Sequence, residues 1–255
     1  MTDLAARQAL FERLPRTWPA FFERHGNFTA VQLATIPPLL DGHNVIVCAP
    51  TASGKTEAAL APLVERHCRH DSAGLSILYL TPTRVLVNDL SARLAHPLQL
   101  LRLSIGMRTR DLSTFDPAHP PNVLLTTPES ADSLLAGHAR IFANLRAIVL
   151  DELHLLDRTP RGDQVRVILS RLRRIRDYAR TCGDAPDAAL QYAALSATFA
   201  HPAAVAARYV PAARVIQVGG GRLIDAEQIR LSVDGADALI AHRNDAAGPV
   251  RPPAR

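Results

Sequence analysis

The sequence predicts an α/β protein of three layers, a mainly parallel central sheet with helices on both faces. Three observations lead there. Short apolar runs recur along the chain without the in–out alternation of a half-wet strand, as strands buried on both faces require. Most of them run through turn residues into an amphipathic helix, the repeat that builds parallel βα units. One of them, Val45–Cys48, opens into Ala49-Pro50-Thr51-Ala52-Ser53-Gly54-Lys55-Thr56 and then a helix, the order a phosphate-binding loop demands.

Taken in order, residues 4–25 carry apolar anchors at helical spacing (Leu4, Leu10, Phe11, Leu14, Trp18, Phe21, Phe22) and read as one or two amphipathic helices. Thr29 caps a helix over 29–40, with Pro37 and Pro38 near its end. After Asp41-Gly42 come the strand 45–48, the loop, and a helix through about His67. Strand 76–81 leads to a helix over 84–94. Residues 103–107 form another strand. Strand 122–126 leads to a helix over 129–135, and strand 147–150 to a helix over 163–178. Strands at 190–195 and 214–218 follow, with 228–233 as an edge strand after Gly219-Gly220-Gly221. Three segments result: a helical lead-in over 1–28, a nucleotide-binding fold over 29–235, and an Ala-, Pro-, Gly- and Arg-rich stretch over 236–255 expected to be a disordered tail or truncated linker.

At 255 residues, 47% hydrophobic and 21% charged, the composition is that of an ordinary globular chain and excludes wholesale disorder. The net charge of +5 suits a polyanionic partner, although an Arg-rich genome would produce it equally well. Cys48, Cys68 and Cys182 form no pattern and fit a reducing compartment; His67-Cys68-Arg69-His70 lacks a second ligand pair and is not read as a zinc site. No apolar run approaches the roughly 20 residues that cross a bilayer, and the expected location is the cytoplasm. The arginines of 171–180 are read as a solvated helix face.

Lys55 is the only lysine in the chain. Arginine replaces it everywhere else, so a flexible ammonium that can reach between phosphates has been kept at this one place. In such a loop the backbone N–H groups of Thr51, Ala52, Ser53 and Gly54 surround phosphate oxygens, Lys55 pairs the β- and γ-phosphates, and the Thr56 hydroxyl ligates Mg²⁺. Downstream, the apolar run Ala147–Leu150 ends in Asp151-Glu152-Leu153-His154. Two carboxylates at a buried strand end are costly unless a cation or a reaction needs them. Asp151 can hold Mg²⁺ through water and Glu152 can orient and deprotonate an attacking water. His154 is ambiguous alone.

Together these residues resemble the first RecA-like domain of the superfamily-two, DEAD/DEAH-like helicases. Phe28-Thr29-Ala30-Val31-Gln32 is similar to the Q-motif, Pro82-Thr83-Arg84-Val85-Leu86-Val87-Asn88-Asp89 to motif Ia, and Thr126-Thr127-Pro128-Glu129-Ser130 to motif Ib. Asp151–His154 resembles motif II and Ser196-Ala197-Thr198 motif III. Within that superfamily the motif Ia and Ib strings, the DELH box and Arg161-Gly162 most resemble the Lhr (large helicase-related) type. Arg108-Thr109-Arg110-Asp111 departs from it, with Arg110 where Lhr-like proteins commonly have Gly.

The resemblance implies ATP and Mg²⁺ as cofactors, with Gln32 reading the adenine edge. It implies nucleic-acid backbone contacts from Pro82, Thr83, Arg84, Arg108, Thr127, Pro128 and Glu129, and coupling between the two sites through His154, Ser196 and Thr198. A second RecA-like domain, or a partner, would supply an arginine finger. This chain ends before one would fit, so slow hydrolysis of ATP is expected of it alone. The other reading is a nucleotide- and nucleic-acid-binding module that regulates a partner without turnover.

Overall fold

In a computed structural model, residues 7–68, 74–183, 189–197 and 201–219 are described in full, and 2–6, 226–233 and 236–243 through their backbone. The compact unit Met1–Gly219 is built on seven strands: β1 Val45–Cys48, β2 Ile77–Leu80, β3 Ile105–Arg108, β4 Val123–Thr126, β5 Ala147–Leu150, β6 Gln191–Ser196 and β7 Arg214–Gln217. All pair in parallel, in the order β3-β4-β2-β5-β6-β1-β7. Because side chains alternate across a strand, each central strand feeds two cores. Val45, Val47, Ile77, Tyr79, Val149 and Leu195 point into one; Ile46, Leu78, Leu80, Ile148, Leu150 and Ala194 point into the other.

The first core is closed by α3 (Ala30–Leu40), α4 (Lys55–His67) and α5 (Arg84–Leu100), the second by α6 (Pro128–Gly137), α7 (Pro160–Thr181) and α8 (Pro202–Tyr209). The lead-in helices α1 (Thr2–Glu12) and α2 (Thr17–Phe21) join the first core through Leu10 and Phe21, with Leu14 from the link between them, and the Trp18 ring packs edge-on against Phe28 at 4.7 Å. Arg16 and Thr17 bind the Glu65 carboxylate and so anchor this segment to α4.

The structure differs from the expected elements in instructive ways. Helix α5 does not stop at Leu94 but runs through Pro97 to Leu100, since buried Leu94 and Leu98 continue the apolar stripe one turn further. Helix α8 was not expected; it is short and Ala-rich, and it forms because Val205, Ala206 and Tyr209 cover the second core. The strand expected over 228–233 is not an edge of the main sheet. It is β8 (Ala226–Val233), paired antiparallel with β9 (Ala236–Arg243) in a two-stranded sheet of its own, so part of the segment expected to be disordered forms a strand.

Candidate nucleotide and nucleic-acid site

The phosphate loop hangs between β1 and α4, and its shape comes from two left-handed residues, Gly54 (φ 84°) and Ala52 (φ 57°). Gly54 is required twice over, because a Cβ there would also lie 2.5 Å from Gln32 Nε2. Gln32 reaches this position through a capping box at the start of α3. Its Oε1 accepts from the Thr29 N–H (2.9 Å), its own N–H donates to Thr29 Oγ1 (3.3 Å), and Thr29 Oγ1 donates to the Ser53 carbonyl (2.9 Å). The carboxamide oxygen is therefore already engaged in the cap, with one lone pair to spare.

Lys55 is 7% exposed, and its Nζ donates to the carbonyls of Ala49 and Pro50, both at 2.8 Å. Burial lowers its pKa, while the charges of Glu152 and Asp151 hold it up. The ammonium thus sits folded inside its own loop, satisfied by two carbonyls that a phosphate oxygen would replace.

Across the cleft, Asp151 leaves the end of β5 and is also 7% exposed. Burial pushes its carboxyl up to about 6; a hydrogen bond from the Tyr79 hydroxyl (2.8 Å) opposes the shift, the neighbouring Glu152 charge adds to it, and the Glu152 N–H (2.9 Å) and Lys55 oppose it again. Tyr79 on β2 is fully buried, which raises its pKa, while the nearby Thr56 side chain lowers it, so one phenol stands beside both side chains expected at the metal. The sequence reading missed Tyr79; its signal was a lone hydroxyl-bearing side chain in the apolar run Ile77–Leu80. Glu152 holds a left-handed φ of 45°, which turns its carboxylate toward the cleft that Thr51, Ala52, Gly54, Lys55, Thr56 and Asp151 line, a cavity of about 120 Å³. Oxygen ligands beside a phosphate-sized hollow, with Lys55 and the Glu57-paired Arg93 as its cations, are a donor set that fits Mg²⁺ and a polyphosphate.

His154 stands in a short 3-10 turn, Leu153–Leu155, which brings its Nδ1 to 3.3 Å from Glu152 Oε2, in poor hydrogen-bond alignment. It does not reach Ser196, whose buried hydroxyl has no hydrogen-bond partner among the described residues; Thr198 lies outside them. His67 is taken up by Gln191 (2.8 Å) and burial lowers its pKa to about 4, as suits a core histidine; Arg69 and His70 are outside the described residues.

The expected strand-binding residues gather at the C-terminal ends of β2, β3 and β4. Thr83 caps α5, its Oγ1 accepting from Leu86 N–H (3.3 Å), whereas the Thr127 side chain makes no cap and reaches Ser130 (3.3 Å). Arg84 pairs with Asp111, Glu129 pairs with Arg161, and Thr126 Oγ1 donates to the Arg108 carbonyl (2.7 Å). Arg110 has no left-handed backbone: the turn closes through Thr109 N–H to the Leu112 carbonyl (2.8 Å), and no glycine is needed there. Among the described residues no helix is long and apolar enough to cross a membrane.

The sequence pattern of the DEAD/DEAH box helicases matches residues 29–205. The chain belongs to this family. Among curated helicases it is 35% identical over 161 residues to the ATP-dependent helicase Lhr-Core of Sulfolobus acidocaldarius, covering 56% of this chain and 18% of that protein. It is 31% identical over 187 residues to the Lhr helicase/probable uracil glycosylase of Mycolicibacterium smegmatis, covering 66% and 12%. The solved Mycobacterium smegmatis helicase Lhr bound to ssDNA and AMP-PNP superposes with a TM-score of 0.71 at 28% identity, over 82% of this chain and 28% of that one. The chain thus spans 18% and 12% of the length of these two curated relatives, has a RecA-like fold, and is homologous to Lhr-type ATP-dependent helicases.

Proposed function

We propose that this chain is the Mg-ATP-binding module of an Lhr-type nucleic-acid helicase. One observation carries the reading: the sole lysine, buried between two loop carbonyls, and its neighbour Thr56 share a phosphate-sized cleft with Asp151 and Glu152, and Tyr79 holds Asp151 from behind. On nucleotide binding, Lys55 exchanges its carbonyl partners for phosphate oxygens, the loop N–H groups of Ala52, Ser53 and Gly54 donate to the same phosphates, and Gln32 reads the adenine. Thr56 and Asp151 would hold Mg²⁺, Tyr79 orients Asp151, and Glu152 takes the proton of an attacking water. When bound, the ion neutralises charge developing on the transferred phosphate.

The turns at Pro82–Arg84 and Thr127–Glu129, with Arg108, contact the sugar-phosphate backbone of a single strand; the Mycobacterium relative, solved with ssDNA and AMP-PNP, supports this reading. Rapid turnover requires an arginine finger from a second RecA-like domain or a partner. Calorimetry with AMP-PNP and Mg²⁺ tests the module: one saturable, Mg-dependent site per chain is expected, and its loss in Lys55→Ala. A chain that takes up no adenine nucleotide would refute the proposal.

A further inference from the structure

Arg161 is the second residue of α7, preceded by Pro160 in the first turn. A cation at a helix N-terminus opposes the helix dipole, so something else must favour it there. Its Nε lies 2.6 Å from Glu129 Oε1 and its Nη2 3.2 Å from Glu129 Oε2, a two-pronged fork, and the same Nη2 donates to the Pro82 carbonyl. One guanidinium thus joins the turn after β2 to the first turn of α6 after β4. The pairing holds the Glu129 carboxyl below its ordinary range, against the burial that would raise it.

The backbone beneath Arg161 is equally constrained. The Thr159 hydroxyl donates to the Leu156 carbonyl (2.6 Å) and accepts from the Gly162 N–H (3.2 Å). A Cβ on Gly162 would lie 2.2 Å from the Leu156 oxygen, so α7 starts in direct contact with the segment that carries Asp151–His154. The two partners are 41% and 50% exposed, a setting in which an ion pair adds little stability. The fork is better understood as geometry.

We propose that Arg161 is a positioning residue: it sets the spacing of the two strand-binding turns and ties both to the acidic box. The proposal rests on the reading of those turns as strand-binding. It requires the planar fork, which lysine lacks.

The test measures fluorescence anisotropy of a labelled oligo-dT across a salt series for the wild-type chain, Arg161→Ala, Arg161→Lys and Glu129→Ala, with hydrogen exchange on the same proteins without oligonucleotide. All three variants should bind about tenfold more weakly, the size of a broken structural coupling, with the salt slope unchanged. Amides of 83–86 and 129–131 should exchange faster. Arg161→Lys keeps the charge and serves if Arg161→Ala does not fold. Wild-type affinity in Arg161→Lys, or tighter binding by Glu129→Ala, would overturn the proposal. So would a slope reduced by about 0.7, which marks a direct phosphate contact. A wild-type chain that binds no oligonucleotide would instead sink the strand-binding reading itself, and this proposal with it.

Discussion

Asp151→Asn should make the nucleotide-free protein more stable. The wild-type carboxyl has an ordinary value of 3.8 and is pushed to about 6 by burial and the Glu152 charge, despite the bonds from Tyr79 and the Glu152 N–H. A rise of about 2 units at roughly 1.36 kcal/mol each means that ionised Asp151 costs about 3 kcal/mol at neutral pH. The folded pKa lies above the unfolded one, so this group favours folding fully below about 3.8 and ceases to do so as pH rises through about 6.

Asparagine carries no charge, retains an acceptor for the Glu152 N–H, and can donate to a rotated Tyr79 hydroxyl. Urea melts in EDTA should show Asp151→Asn ahead by about 3 kcal/mol at pH 8, about half that at pH 5, and under about 1 at pH 4. His67, whose depressed pKa removes stability as pH falls from its ordinary 6.5 to about 4, affects both proteins alike and cancels in the difference. An advantage independent of pH, or a loss at pH 8, would refute the reasoning.

Gly162→Ala should destabilise by about 1–3 kcal/mol in the same melts, because the new methyl meets a backbone oxygen and the Tyr209 hydroxyl at 2.6 Å, neither free to retreat. Gln32→Ala should cost about 1 kcal/mol through the lost capping box, and it should narrow the preference for ATP over GTP in competition binding. Ser196→Ala should be neutral or gain up to about 1 kcal/mol, since a buried, unpartnered hydroxyl is removed; a clear loss of stability would show that the hydroxyl has a partner.

The five central strands of the main sheet announce themselves as largely apolar runs, because a strand covered on both faces tolerates few polar side chains, whereas the edge strand β7 is half polar and largely exposed. The strand order does not announce itself. That β5 lies between β2 and β6, and β1 between β6 and β7, depends on crossovers that local pattern does not encode. Lys55, Gly54 and the Asp151-Glu152 pair stand out because each is chemically odd for its place. Tyr79 was hidden because a tyrosine among Ile77, Leu78 and Leu80 looks like core packing until Thr56 and Asp151 are brought to its hydroxyl. The fork of Arg161 was equally invisible, joining residues 32 and 79 positions away in the chain.

The strand order explains how nucleotide and nucleic acid could sense one another over so short a path. The acidic box leaves β5, whose neighbours are β6 on the side of the phosphate loop and β2 on the side of the turns proposed to bind a strand. At the C-terminal edge the links are direct: Ala49 N–H, entering the phosphate loop, donates to the Ser196 carbonyl; Asp151 N–H donates to the Leu80 carbonyl; Thr81 N–H donates to the Thr126 carbonyl. In the proposed reading, a shift of the Asp151 carboxylate would pull on Tyr79 of β2 within one hydrogen bond, and on the Pro82 turn three residues beyond it. Packed cores resist gradual deformation and move between discrete arrangements, so such a pull moves the turns at Pro82 and Thr127 as a unit only if something holds them together. In the proposed reading Arg161, which contacts both turns, is the side chain placed to do so, and by reciprocity an occupied strand site would act back on Asp151.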